Sequence, residues 1–174
     1  MLRGELIDLR PITTDDLDTL EAWSADPDHD GEFNTFALPR PGAVGRAFAE
    51  HGYLTDDHGR LLIATKAGER AGDVSYRHVV HGPGVDNRVY EIGITVAPAC
   101  RGRGYGAEAQ RLLAAYLFAA YPIARAQATT DIANIGEQRA LERAGFALAG
   151  VLRRAQFRNG DWHDLVIYSK LRGE

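Results

Sequence analysis

The sequence predicts an α+β fold, one mixed central sheet of about seven strands flanked by about four helices. Two patterns carry this prediction. Alternating apolar and polar runs are interleaved with runs of helical period, in the order β-α-α-β-β-β-α-β-α-β-β. Three strand-like runs follow one another without a helix between them, so a purely parallel sheet is excluded. The length of 174 residues suits one core, and a single domain over 1–174 is expected.

The elements follow in order. Residues 5–9 alternate and read as a strand. Thr13 or Thr14 caps a helix that runs to about Trp23, with Leu17, Leu20 and Trp23 on one side. Residues 26–42 read as a loop carrying acids and aromatics, and 43–49 as a short helix. Residues 61–66, 73–80 and 89–96 read as strands, the first two joined by a turn around Gly68 and Gly72. Residues 104–120 form the clearest helix, with Ala109, Leu112, Leu113, Tyr116 and Leu117 on one stripe. A strand at 124–130 precedes a short helix at 134–144, with Gly145 at the helix C′ position. The final strands, about 147–158 and 161–171, flank Asn159-Gly160, a strong hairpin signal.

Hydrophobic residues make up 45% and charged residues 25%, a globular mixture that excludes a disordered, collagen-like or coiled-coil chain. The single cysteine, Cys100, excludes a disulfide framework and a multi-cysteine zinc site, and no metal site is expected. No apolar run is long enough to span a bilayer, and the first residues turn acidic without a signal-peptide core, so no membrane partner and a cytoplasmic location are expected. The net charge of −4 argues against nucleic acid as a partner. The charge is uneven: Asp15, Asp16, Asp18, Glu21, Asp26, Asp28, Asp30 and Glu32 fall in a stretch free of Lys and Arg, and the basic residues gather from Arg101 onward. Two solvated faces, or an acidic mouth for a cationic substrate beside a basic mouth for an anionic one, both account for this.

The most informative stretch is Glu91-Ile-Gly-Ile-Thr-Val-Ala-Pro-Ala-Cys-Arg-Gly-Arg-Gly-Tyr-Gly106. A strand gives way to a glycine-rich loop that opens a helix. The first helical N–H groups lack partners there, and the helix dipole favours negative charge. Glycines admit a close ligand, and Arg101 and Arg103 add charge. The stretch reads as an anion site, most naturally for a pyrophosphate. Gly102, Gly104 and Ala107 also satisfy the dinucleotide pattern G-x-G-x-x-G/A, which keeps an NAD(P)-binding oxidoreductase as an alternative. Against it, that fingerprint usually opens a βαβ unit, and here a meander of strands comes first.

Arg101-Gly-Arg-Gly104-Tyr-Gly106 also matches the R/Q-x-x-G-x-G/A loop. Asn134-Ile-Gly-Glu-Gln-Arg-Ala-Leu-Glu-Arg-Ala-Gly-Phe146 and the tail Gly150-Val-Leu-Arg to Asp164-Leu-Val-Ile-Tyr168-Ser follow in order. With Leu9-Arg10-Pro11, these motifs resemble the GCN5-related N-acetyltransferase (GNAT) superfamily, in the branch that includes ribosomal-protein-alanine N-acetyltransferases. The resemblance covers essentially the whole chain. It implies an enzyme, an acyltransferase that moves an acetyl group from acetyl-CoA directly to a primary amine of a small molecule or protein N-terminus. A non-catalytic acyl-CoA-binding module on the same fold is a further alternative.

The resemblance also implies roles. The backbone of Ile94, Thr95 and Val96 would pair with the pantetheine arm, and an N–H near Val96 would polarise the thioester carbonyl. The N–H groups of Arg101, Gly102, Arg103, Gly104, Tyr105 and Gly106 would hold the pyrophosphate, and the Asn134 side chain would contact the co-substrate. A primary amine is mostly protonated at neutral pH, and freeing its lone pair costs about 4 kcal/mol. A general base would help, and Glu91, placed by alternation on the face of Gly93 and Thr95, is the candidate, with a structural acid as the other reading. The slots that usually hold a Tyr or Ser acid are Leu141 and Glu137, and Glu137 also reads as the N3 partner of an Asn134 cap. Tyr168 is another possible donor, although a last-strand aromatic is more often core. Asp28 and Asp30, with Phe33 and Phe36 as apolar walls, are expected to take a cationic amine acceptor. His78 and His81 point to opposite faces and are not read as a metal pair. His163 is expected to be exposed, and Trp23 and Trp162 to pack. A monomer or a homodimer is expected.

Overall fold

One eight-stranded sheet orders the molecule. The computed structural model describes residues 1–34, 40–83 and 88–174. The strands are β1 (Leu2–Arg3), β2 (Ile7–Pro11), β3 (His58–Thr65), β4 (Arg70–Val80), β5 (Arg88–Val96), β6 (Arg125–Asp131), β7 (Ala147–Arg158) and β8 (Asp161–Leu171). They lie in the order β1-β2-β3-β4-β5-β6-β8-β7. Every neighbouring pair is antiparallel except β5 and β6. The helices are α1 (Leu17–Ser24), α2 (Pro27–Asp30), α3 (Ala43–His51), α4 (Tyr105–Ala120) and α5 (Ile135–Arg143).

The α+β class holds, with one strand and one helix more than the periodicity suggests. The extra strand, β1, is two residues paired as Leu2↔Leu9 and Arg3↔Asp8, too short to show alternation. The extra helix, α2, is a single turn inside the segment read as a loop. Asp26 caps it by accepting from the Asp28 N–H at 3.0 Å, and Pro27 occupies its first turn. The turn between β3 and β4 is closed by Gly68, whereas Gly72 lies within β4 opposite Val96.

Two apolar layers sandwich the sheet. Leu61 and Ile63 of β3 face one side, with Val74, Ile92, Leu113, Leu117 and Leu141 beneath α4 and α5. Leu62, the residue between them, faces the other side with Ile12, Leu20 and Val44 beneath α1 and α3. Each fully buried aliphatic side chain contributes roughly 1.5–3 kcal/mol, so the register of β3 is strongly specified on both faces. Tyr168 is core, with its hydroxyl donating to Glu142 at 3.1 Å. Trp162 does not pack inside: it is half exposed and meets Phe157 edge-on at the hairpin tip. No helix among the described residues is long and apolar enough to cross a membrane.

Candidate active site

The parallel pair β5 and β6 makes the site by failing to stay paired. Its register runs only through Tyr90↔Ala126 and Glu91↔Gln127. Beyond those residues the strands part and open a cleft of about 600 Å³. Residues 92–96 form one wall and residues 128–130 the other. Gly102, Gly104 and the first turn of α4 close one end, and Asn134, Gly136 and Glu137 flank it from α5. Asp30, Gly31, Glu32, Phe33 and Asn34 also line the cleft. A larger hollow of about 720 Å³ lies between the C-terminus of α4 and the start of β6. Its lining carries no carboxylate, histidine or glycine.

Glycines open the first turn of α4 at one end of the cleft. Gly104 is the N-cap of α4 at φ +83°, and Gly102 lies at φ +75°, both in the region that glycine enters without strain. A Cβ on Gly106 would stand 3.6 Å from Ile94 and 3.7 Å from Val96, so the first turn of α4 rests on the end of β5. The first-turn N–H groups of α4 thus open beside the end of that strand. Ile94, Thr95, Val96, Arg101, Gly102, Gly104, Tyr105, Gly106 and Asn134 all line the cleft. Arg103 is exposed and does not line it. Asn134 is engaged twice: Oδ1 accepts from the Glu137 N–H at 3.2 Å, and Nδ2 donates to Thr130 Oγ1 at 3.1 Å. Cys100 lies on the wall near the loop.

Glu91, the expected base, stands apart from this group and is held by two neighbours. Arg77 pairs with its Oε1, and the Gln127 amide donates to Oε2 at 3.0 Å. The carboxylate is not among the residues lining the cleft. Its alternation with Gly93 and Thr95 is as read, but the last register pair of β5 and β6 lies at Glu91 itself, so the strands are still closed there.

Asp30, Glu32 and Glu137 do line the cleft, and two of them carry shifted carboxyls. Asp30 is half-buried, and burial followed by the charge of Asp73 pushes its pKa up, against the opposing pull of Arg60. Asp73 is itself buried and held by Arg60 through Nε and Nη2, both at 2.8 Å. Glu137 is pushed up to about 8 by burial, partly offset by the amide of buried Gln110. It is thus mainly protonated at neutral pH. Its backbone fills the N3 place of the Asn134 cap, as the spacing predicts.

The acceptor segment divides the remaining residues. Phe33 lines the cleft and lies under the Arg158 guanidinium at 5.4 Å, whereas Asp28 is exposed and off the wall. Phe36 lies outside the described residues. His163 is not free in solvent. It shares Asp131 with buried Arg158, whose Nη2 donates to Asp131 Oδ2 at 2.7 Å. Sequence reading missed the Arg60–Asp73 and Arg158–Asp131 pairs, because no local spacing marks partners that only sheet register brings together. Among the described residues no group of three or more metal-ligating side chains forms.

Comparison with known proteins agrees with this geometry. Residues 7–147 match the family model described as acetyltransferase (GNAT) domain. A Bacillus subtilis protein named "Probable N-acetyltransferase YjcK" is 29% identical over 94% of this chain and 93% of its own length. The spermidine N-acetyltransferase of Vibrio cholerae, solved with CoA and spermine, superposes with a TM-score of 0.81 at 18% identity, over 97% of each chain. The ribosomal-protein-S5-alanine acetyltransferase of Vibrio fischeri superposes with a TM-score of 0.77 at 19% identity, over 99% of this chain and 96% of its own. At these identities the two structures speak to the fold.

Proposed function

The chain belongs to the GNAT acetyltransferase family, and from that premise we propose that it moves an acetyl group from acetyl-CoA to a primary, cationic amine. The observation that carries this reading is the parting of β5 and β6 directly beside a glycine-capped helix N-terminus. One feature offers backbone groups to an extended arm, and the other offers N–H groups to its phosphates. The donor-side residues are the backbone of Ile94, Thr95 and Val96, the loop from Arg101 to Gly106, and Asn134. The protein works in the cytoplasm on this reading.

The amine nitrogen attacks the thioester carbonyl, forming the N–C bond as the C–S bond breaks. Asp30 faces the incoming ammonium and takes up its proton, with Glu32 and Phe33 beside it. Burial and Asp73 make Asp30 more basic than an ordinary carboxylate, which suits that transfer. Glu137, protonated near neutrality, gives a proton to the departing thiolate, and the second proton lost by the acylated nitrogen restores the Glu137 carboxyl. Asp30 and Glu32 at one end of the cleft support a cationic acceptor, and spermidine and a ribosomal-protein alanine are the acceptors named for the two structural neighbours above. The test is turnover of acetyl-CoA with spermidine, an alanyl peptide, an amino sugar and an amino-acid ester. Release of CoA thiol with one of them supports the reading. Binding of acetyl-CoA without turnover of any amine overturns it.

Two residue tests separate the carboxyls. Asp30→Asn raises the amine KM roughly tenfold, the loss of one charge-assisted contact, while Glu91→Gln changes kcat by less than about threefold and keeps both limbs of the pH profile. Loss of a pH limb in Glu91→Gln would return the base role to that residue. For Glu137, kcat/KM of the wild type falls as pH rises through about 8, and Glu137→Gln lowers the rate and removes that fall. Stability gives the sign independently. A carboxyl raised in the folded state loses stability as pH climbs from its ordinary value toward about 8, so Glu137→Gln is more stable than wild type at alkaline pH.

A further inference from the structure

We propose that the Arg101 side chain serves the acceptor rather than the donor, strapping α2 to the end of β5 and setting where Asp30 stands in the cleft. This rests on the reading of the cleft given above. Arg101 opens the phosphate loop, and its spacing suggests a guanidinium lending charge to the anion. The guanidinium instead turns back. Its Nε donates to the Val96 carbonyl at 3.0 Å. Its Nη2 donates to the Asp28 carbonyl at 3.1 Å and to the His29 carbonyl at 2.7 Å.

The partners make this a strap between two substrate sites. Val96 ends the strand that lines the donor wall. Asp28 and His29 carry carbonyls of the single turn α2, which a cation stabilises. Gly31 follows at φ +72°, and a Cβ there would stand 3.7 Å from Arg101 Nη2. The chain turns at that glycine and presents Asp30 and Phe33 to the cleft. Other contacts hold α2 from the acceptor side: Trp23 stacks on buried His29 at 4.5 Å, Asp26 caps the turn, and Arg158 donates to the Phe33 carbonyl at 3.3 Å. Arg101 ties the same turn to the loop that would carry the phosphates. Its backbone and side chain thereby serve different substrates, and ordering of the loop by acetyl-CoA tightens the amine site. By reciprocity the amine tightens acetyl-CoA by the same factor.

Arg101→Ala keeps the loop backbone and removes the strap, and Arg101→Lys keeps the charge but not the fork that spans several carbonyls. Three readouts apply: amine KM and kcat with the best acceptor among spermidine and the alanyl peptide, the Kd of CoA by calorimetry, and hydrogen exchange of the His29 and Gly31 amides. In Arg101→Ala the amine KM rises about tenfold or more, CoA Kd stays within about threefold, and both amides exchange at least about tenfold faster. Arg101→Lys does not restore the amine KM. A CoA Kd weakened about tenfold with an unchanged amine KM, full rescue by lysine, or unchanged exchange overturns the proposal. Should the wild type turn over no amine, the functional reading fails by itself, and the exchange comparison still decides the strap.

Discussion

Gly104→Val weakens acetyl-CoA binding by about 30-fold, read by calorimetry against the wild type. Gly104 sits at φ +83° as the N-cap of α4, where a β-branched residue costs about 2 kcal/mol. A Cβ there would also approach Leu6 at 3.3 Å. The loop relieves that strain by rotating the peptide groups around residue 104. The rotation turns the N–H groups of Tyr105 and Gly106 away from the phosphate position, and a loss of about 2 kcal/mol is the 30-fold change. Unchanged affinity would show that the anion binds elsewhere.

Glu108→Gln destabilises the fold by about 3 kcal/mol, a fall of roughly 6–12 °C in Tm for a domain of this size. Glu108 stands in the first turn of α4, nearly buried, and accepts from the N–H groups of Glu5, Leu6 and Ile7 at 2.6, 2.8 and 2.9 Å. It is the staple that holds the β1–β2 turn to the helix bearing the phosphate loop. Gly4 leaves room for it, since a Cβ there would lie 2.7 Å from the carboxyl carbon. Burial alone would raise the Glu108 pKa, but the three backbone donors, with Arg111, outweigh it and hold the group below its ordinary range. The sign follows: this stability is present above the ordinary glutamate pKa of 4.5 and is lost as pH falls through the lower folded value. The gap between wild type and Glu108→Gln is therefore widest near neutral pH and closes in acid.

Features that depend on chain-local spacing were legible in the sequence. The stripe Ala109, Leu113, Leu117 placed α4, Gly104 placed its start, Asn134 and Glu137 placed the cap of α5, and Asn159-Gly160 placed the last hairpin. The glycine loop before α4 was legible for the same reason, because strand, glycines and helix are consecutive. Features that depend on distant partners were not. Nothing near Arg101 shows that its guanidinium reaches carbonyls 73 and 72 positions away. The register that sets Arg77 and Gln127 on Glu91 joins three separate strands, so alternation gave the face of Glu91 but not its occupancy. Asp73 likewise bears on Asp30 only because the fold brings together residues far apart in the chain, and a single-turn helix such as α2 leaves too few residues for any period to appear.

The central claim, that the cleft between β5 and β6 is an acetyl-CoA site, is tested most directly by thermal shift with acetyl-CoA and with NADH. At 100 times its Kd a ligand stabilises by about 2.7 kcal/mol, roughly 5–11 °C here. The account predicts that shift with acetyl-CoA and none with NADH. A shift with NADH and none with acetyl-CoA would contradict it.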